Sequence, residues 1–338
     1  MDGLDLPALE AFFARTVPGF QGALSAEMLE GGRSNLTYVL TDGRTRWVLR
    51  RPPLGGLTPS AHDMGREYRV VAALRDSDVP VARAVALADA DVIGVPFAVV
   101  EHVDGVVIRT TEQLHARPRA DIERCAHGLV DVLARLHAVD PAEVGLGDFG
   151  RPTGYLARQV RRWYDQWERV RTRPLPDIDA LHGRLAEACP EESGASIVHG
   201  DYRIDNVILD GADPGTARAV VDWEMATLGD PLADLGLHLV YSDPVFAPVL
   251  AGGAASTSDR LPPVDDLAQR YATVSGRDLS RLGFHLALGY FKIAVIAEGI
   301  HARHLRGLTR GSGFDSVGEA VAPLAAAGLR AAARIGRE

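Results

Sequence analysis

Near residue 103 the hydrophobic period of the chain changes, and that change limits the folds open to it. Before it, from Gly22 to Arg51, apolar residues alternate along strand-like stretches, and TDGR in NLTYVLTDGRTRWVLRRPP is a tight-turn signal between two of them. Residues 61–76 carry Met64, Tyr68, Val71 and Leu74 at helical spacing, and AVALAD and PFAVVEHV then read as two more strands. With a short helix over 5–16, Pro7 in its first turn, the first hundred residues read as a small sheet with one helix inserted after its third strand. After VDGVVIR the period is that of helices: 118–139, 153–171, 177–189, 231–241, 264–275, 280–307 and an Ala-rich 315–335. Short strands are expected at 196–198, 206–210 and 218–222, and AGGAASTSDRLPP (251–263) reads as the clearest exposed loop. The expectation is an α+β chain in two lobes, a β-rich one over 1–103 and a larger helical one over 104–338.

A length of 338 residues allows a large core and about two domains. The formal charge of −9 excludes the basic footprint of a general nucleic-acid binder. Lys292 is the only lysine, every other cation being Arg, as a GC-rich genome would favour. Cys125 and Cys189 lie far apart and outside any ligand-spaced cluster, which fits a reduced cytoplasmic protein without disulfides or zinc. The acidic opening MDGLDLPALEAFF lacks a basic n-region, so no signal peptide is expected. The longest apolar segment, Leu286 to Ile300, is broken by Lys292 and Glu298, so no membrane span is expected either.

The chemistry is concentrated in VHGDYRIDNVILD (198–210) and VVDWEMATLGDPLADLG (220–236). Asp201 and Asn206 stand five apart in a loop after an apolar strand, and Asp222 ends the strand ARAVVD. Phosphoryl transfer from ATP needs a carboxylate to orient an attacking hydroxyl and accept its proton, oxygen ligands for Mg²⁺, and donors that offset charge on the transferring group. Asp and Asn supply the hard oxygens that Mg²⁺ demands, where Cys or His would not.

These two motifs resemble those of the aminoglycoside phosphotransferase and choline-kinase-like branch of the protein-kinase fold. The likeness extends to GGRSNLTYVL, WVLRRPP, SAHDMGREYRV and FAVVEHVDG and covers roughly residues 20–310; it looks closest to the subgroup of kinase-like domains joined to acyl-CoA dehydrogenase modules. The resemblance implies a bilobal kinase-like fold and the cofactors ATP and Mg²⁺. It makes Asp201 the catalytic base, Asn206 and Asp222 the metal ligands, and Arg203 a donor to the transferring phosphate, with Glu224 a weaker aid to the metal. His199 would brace the loop, Asp230 would cap a helix begun by Pro231, and Asp234 would hydrogen-bond the catalytic loop. Gly32, Ser34 and Asn35 would belong to the phosphate-covering loop, and Glu101 to Val103 to the hinge facing adenine. A kinase lysine is missing from the third strand; Arg50 stands in its place with Glu67 as partner, and keeps the charge and a bidentate grip on phosphate. Arg51 and Arg66 are neighbours with which that pair can be confused, and Asp205 has no assigned role.

The acceptor is expected to be a small molecule with a hydroxyl. Helix YLARQVRRWYDQWERVRTR sets Leu156, Val160, Trp163, Trp167 and Val170 on one stripe, read as core, while Arg158, Arg161, Arg162, Arg169 and Arg171 make either a solvated face or a patch for an anionic acceptor such as a hydroxyacyl-CoA. A polycationic aminoglycoside would want an acidic lining, and no matching acidic run is found there, so an aminoglycoside or macrolide phosphotransferase is the runner-up. A catalytically silent nucleotide-binding scaffold is a third reading. His301 and His304 have helical spacing but no third ligand for a metal.

Overall fold

The structure, a computed structural model, describes residues 3–29, 35–54, 63–250, 254–309 and 313–335. It divides into two compact units, one of Met1–Gly105 with Arg218–Ala226, the other of Val106–Ala217 with Thr227–Glu338.

The first unit begins with α1 (Leu6–Thr16), whose Asp5 cap accepts a hydrogen bond from the Ala8 N–H at 3.1 Å. Then come β1 (Ser25–Met28), β2 (Leu36–Thr41), β3 (Arg46–Arg51), α2 (Met64–Leu74), β4 (Ala84–Ala88) and β5 (Phe97–Glu101). The strands form one antiparallel sheet in the order β1-β2-β3-β5-β4. The β2–β3 register, Thr41 opposite Arg46, is fixed by the Asp42 carboxylate, which accepts from the N–H groups of Arg44 (2.9 Å) and Thr45 (2.8 Å). Those bonds hold the Asp42 carboxyl below its ordinary range. Phe12, Phe13, Tyr38, Trp47 and Phe97 fill the core, with the Phe13 and Trp47 rings edge-to-face at 5.3 Å. A single cut in the chain does not capture this unit. Arg218–Ala226 joins it because the Val220 N–H donates to the Pro80 carbonyl at 2.8 Å, and the 3-10 turn Trp223–Met225 packs on α2.

The second unit holds α3 (Thr111–His115), α4 (Arg119–Ala138), α5 (Tyr155–Val170), α6 (Pro176–Glu187), β6 (Ser196–Val198) and β7 (Val207–Leu209). After β8 (Ala217–Val220), which runs into the first unit, it resumes with β9 (Thr227–Gly229), α7 (Pro231–Val240), α8 (Val264–Ser275), α9 (Leu282–Leu305) and α10 (Val321–Ala332). β6 and β9 pair antiparallel, Ser196 opposite Gly229. Asp230 caps α7, accepting from the Leu232 N–H at 2.8 Å just ahead of Pro231. Helix α9 is long and apolar enough to cross a membrane by composition alone, but 67% of its apolar stretch is buried, where it packs with α5, α6, α7 and α10 as the centre of this core. It approaches α7 so closely that a Cβ at Gly236 would lie 2.8 Å from the His285 backbone.

Several local expectations change. Residues 254–257 are not an exposed loop: Ala254, Ala255 and Ser256 are buried, because the Ala255 N–H donates to the Arg109 carbonyl (3.1 Å) and Thr111 Oγ1 to that of Ala254 (3.2 Å). The stretch expected as one helix over 315–335 is a 3-10 turn, Val317–Ala320, followed by α10. The short α3, with its Thr110/Gln113 capping box, and β9 were not expected, since neither is long enough to show a period.

Candidate active site

The loop after β6 is held from behind. Asp234, buried in α7, accepts from the backbone N–H groups of His199 (2.6 Å) and Gly200 (2.8 Å), as the resemblance implies. Burial works against the Asp234 charge, but His137 at 3.4 Å and the His199 N–H outweigh it and hold the carboxyl below its usual range. Burial in turn keeps His137 on the neutral side, with Nδ1 at 2.7 Å from the Tyr271 hydroxyl. Gly200 turns the chain at φ +80°, a conformation that favours glycine. Its carbonyl accepts from Lys292 Nζ of α9 at 2.6 Å.

Asp201, next in the chain, is part-exposed, and both of its carboxylate oxygens are oriented. Oδ1 accepts from the Tyr241 hydroxyl; Oδ2 accepts from Asn206 Nδ2 at 3.2 Å and lies 3.5 Å from Arg203 Nε. The same Asn206 amide nitrogen donates to the Asp201 carbonyl at 2.8 Å, across the 3-10 turn Ile204–Asn206, so the amide oxygen is the atom left for a ligand. Asp205 acquires a role: its Oδ2 sits 2.9 Å from Arg203 Nη1, so it holds the arginine beside Asp201. Burial pushes the Asp205 carboxyl up, and Arg203 opposes this.

In the first unit Arg50 reaches both Glu67, through Nη1, and Asp222, through Nη2 at 3.0 Å. Burial opposes the Arg50 charge, but Glu67 and Asp222 overcome it, so the guanidinium stays charged. Burial raises Glu67, against the pull of Arg50. Asp222 is the one non-glycine residue at positive φ (+67°) among the described residues, a conformation that costs on the order of 1 kcal/mol and aims its side chain at Arg50. Asn35 is buried, and its amide donates to Glu224 at 3.3 Å, which anchors that carboxylate. Arg51 is committed elsewhere, to the carbonyls of Pro52 (3.0 Å) and Gly3, and Arg66 to that of Ala226 (3.1 Å), so neither competes with Arg50. At the expected hinge the N–H groups of Glu101 and His102 are taken by the carbonyls of Arg83 (2.8 Å) and Arg46 (3.2 Å), while that of Val103 makes no hydrogen bond among the described residues. Gly32 and Ser34 lie outside the described residues.

Each unit, taken by itself, carries groups suited to magnesium or nucleotide phosphate. The candidate ligand atoms are hard oxygens, the Asn206 amide and the Asp222 carboxylate, and Mg²⁺ ordinarily takes few protein ligands, keeping waters and phosphate oxygens for the rest. Among the described residues Arg50 Nε is buried without a hydrogen-bond partner, a donor that a phosphate oxygen would satisfy. Among the described residues no three His, Cys, Asp or Glu gather as a closed metal site, and His304 is occupied by Thr309 (3.1 Å) and Asp315 (3.3 Å).

Two residues around Asp201 escape sequence reasoning. Tyr241 carries no signal, since it is one aromatic just beyond an apolar helix. Lys292 carries one, as the sole lysine, placed inside an apolar helix. On α5, Leu156, Val160 and Trp167 are core, whereas Trp163 is half-buried and lines a cleft with Tyr155, Gln159, Gly200 and Lys292. The basic face of α5 is partly spent locally: Arg158 on the Arg151 and Thr153 carbonyls, Arg169 on the Asp165 carbonyl (3.0 Å), Arg171 on the Glu168 carboxylate (3.2 Å).

The family model described as the phosphotransferase enzyme family matches residues 25–269. Acyl-CoA dehydrogenase family member 11 of Gallus gallus is 36% identical over 346 residues, 98% of this chain but 44% of that protein; the human protein of the same name is 33% identical over 98% of this chain and 43% of its own length. The chain thus spans less than half the length of the curated relatives it matches. Among solved structures, a candidate aminoglycoside phosphotransferase from Ralstonia eutropha superimposes with TM-score 0.85 and 34% identity over 98% of both chains. A thermostable mutant of aminoglycoside phosphotransferase APH(4)-Ia, crystallised with AMP-PNP and hygromycin B, shares the fold at TM-score 0.62 and 17% identity, over 96% of this chain and 99% of its own.

Proposed function

The chain belongs to the phosphotransferase enzyme family, and from that premise we propose that it transfers the γ-phosphate of ATP to a hydroxyl of a small molecule, with Mg²⁺. The observation that carries the reading is Asp201, a carboxylate with each oxygen oriented by a neighbour, in a loop whose His199 and Gly200 N–H groups are fixed by Asp234.

In this reading Asp201 receives the acceptor's hydroxyl proton as the oxygen–phosphorus bond forms and the bond to the β-phosphate oxygen breaks, leaving ADP. Arg203, anchored by Asp205, offsets charge on the phosphoryl oxygens, and Arg50 grips phosphate with the donor it has free. Asn206 and Asp222 would be the residues that hold Mg²⁺, each through an oxygen. Val103 would offer its N–H to the adenine, beside Glu101, and Gly32, Ser34 and Asn35 are assigned to the phosphate contacts. ATP and Mg²⁺ would bring the phosphoryl group and neutralise its charge.

For the acceptor we propose an anionic hydroxyacyl compound, of the hydroxyacyl-CoA kind. Support comes from the acyl-CoA dehydrogenase name of the relatives and from the half-buried, aromatic Trp163 in the cleft beside Gly200. A cytoplasmic location accords with two free cysteines. Labelled ATP offered with a panel of hydroxyacyl-CoAs, amino alcohols, sugars, aminoglycosides and macrolides tests the reading. Label should pass to the hydroxyacyl compounds and not when Asp201→Ala replaces the wild type. Transfer only to an antibiotic would overturn the acceptor assignment. No transfer, or equal transfer by the variant, would overturn the mechanism.

A further inference from the structure

Gly200 is the residue on which the aim of Asp201 turns, and it has no side chain to lock it. Both of its polar backbone atoms are gripped by charged side chains of opposite sign. Asp234 accepts from its N–H at 2.8 Å, and Lys292 donates to its carbonyl at 2.6 Å. The two side chains stand on α7 and α9, the helices brought together at Gly236 and His285, so the grip is made by one rigid pair of helices.

The ammonium lies 5.6 Å from the centre of the Trp163 ring. Burial pushes the Lys292 amine down, Asp201 and Asp234 act to keep it charged, and Arg162 opposes them. A lysine in an apolar helix is costly unless its charge is used. Here the partners that use it are the peptide before Asp201 and the field of Asp201 itself.

We infer that Lys292 is a positioning residue: by holding the Gly200 carbonyl against the pull of Asp234 on the N–H, it fixes the peptide that aims the Asp201 carboxylate. Its catalytic consequence rests on the phosphotransferase reading above; its structural consequence does not.

The sole lysine makes the test selective. In protein carrying ¹³Cε-lysine, one resonance reports Lys292. Its titration midpoint should fall in Asp201→Asn, because the carboxylate that favours the ammonium is gone. An unchanged midpoint would overturn the coupling. By hydrogen exchange, the backbone amides of residues 199–206 in Lys292→Met should exchange about 10-fold faster or more, with Lys292→Arg closer to wild type. Equal protection in all three would overturn the positioning role. Where transfer is measurable, Lys292→Met should lower kcat about 10- to 100-fold with KM for ATP unchanged, the size expected from a misaimed group. A raised KM at unchanged kcat would contradict it. If the wild type transfers nothing while the resonance and exchange results come out as expected, the phosphotransferase reading fails and the fixing of the loop by Lys292 stands.

Discussion

In the first unit the acidic cluster is built from side chain to side chain. Arg50, Glu67 and Asp222 come from β3, α2 and the end of the segment 218–226, and each is placed by its ion pair with the arginine. In the second unit the cluster is built on the backbone: Asp201, Arg203, Asp205 and Asn206 share one short loop, whose peptides are pinned by Asp234 and Lys292. The difference separates a cluster whose loss also costs stability from one whose loss costs turnover alone. Removing the central cation of the first cluster leaves the buried Glu67 carboxylate unbalanced, whereas removing a carboxylate at the tip of the second leaves the pinned loop in place.

The largest effect should come from the second cluster and touch turnover alone. Asp201→Asn is expected to lower phosphoryl transfer by about 10²- to 10⁴-fold, the range for a lost general base, with melting temperature nearly unchanged. Unaltered turnover would break the contrast from one side. In the first cluster Arg50→Met should destabilise the protein by about 3–5 kcal/mol in denaturant titrations, since Glu67 is left buried without its cation. Arg50→Lys should cost less. A melting curve for Arg50→Met like that of the wild type would break the contrast from the other side.

Acidification should act on the second unit. His137, His238 and His285 are buried, and burial lowers all three, His285 to about 4 from the ordinary 6.5. Such a group binds its proton less tightly folded than unfolded, so stability is lost as pH falls below about 6.5, by up to roughly 1.4 kcal/mol per pH unit for each histidine. Hydrogen exchange at pH 7 and pH 5 should show loosening around α4, α7 and α9 at the lower pH, and uniform protection would contradict this. The smallest effect is expected from Asp205→Asn, about 1 kcal/mol or less for a part-exposed pair with Arg203. The raised Asp205 carboxyl binds its proton more tightly folded than unfolded, so its own contribution declines as pH rises through the range just above the ordinary 3.8. Denaturant titrations of wild type and variant across that range should differ by this slope.

Much of this was legible in the sequence because period and motif spacing are local. The strand–helix order of the first hundred residues, the cap at Asp230 and the Asp201–Asn206 loop each rest on residues close together in the chain. What was not legible depends on contacts over long separations. The Tyr241 hydroxyl on Asp201 comes from 40 residues away, and Lys292 reaches Gly200 across 92. The burial of residues 254–256 is likewise set by Arg109 and Thr111, far upstream. Asp205, which had no role in the sequence, gains one only when Arg203 is seen between two carboxylates.

Calorimetric titration of ATP, with and without Mg²⁺, into wild type, Asp201→Asn and Asp222→Asn tests the division of labour most directly and needs no acceptor. The expected result is Mg²⁺-dependent binding by the wild type, the same binding by Asp201→Asn, and loss of the Mg²⁺-dependent part in Asp222→Asn. Binding by the wild type that ignores Mg²⁺, or an Asp222→Asn variant that binds as the wild type does, would contradict it.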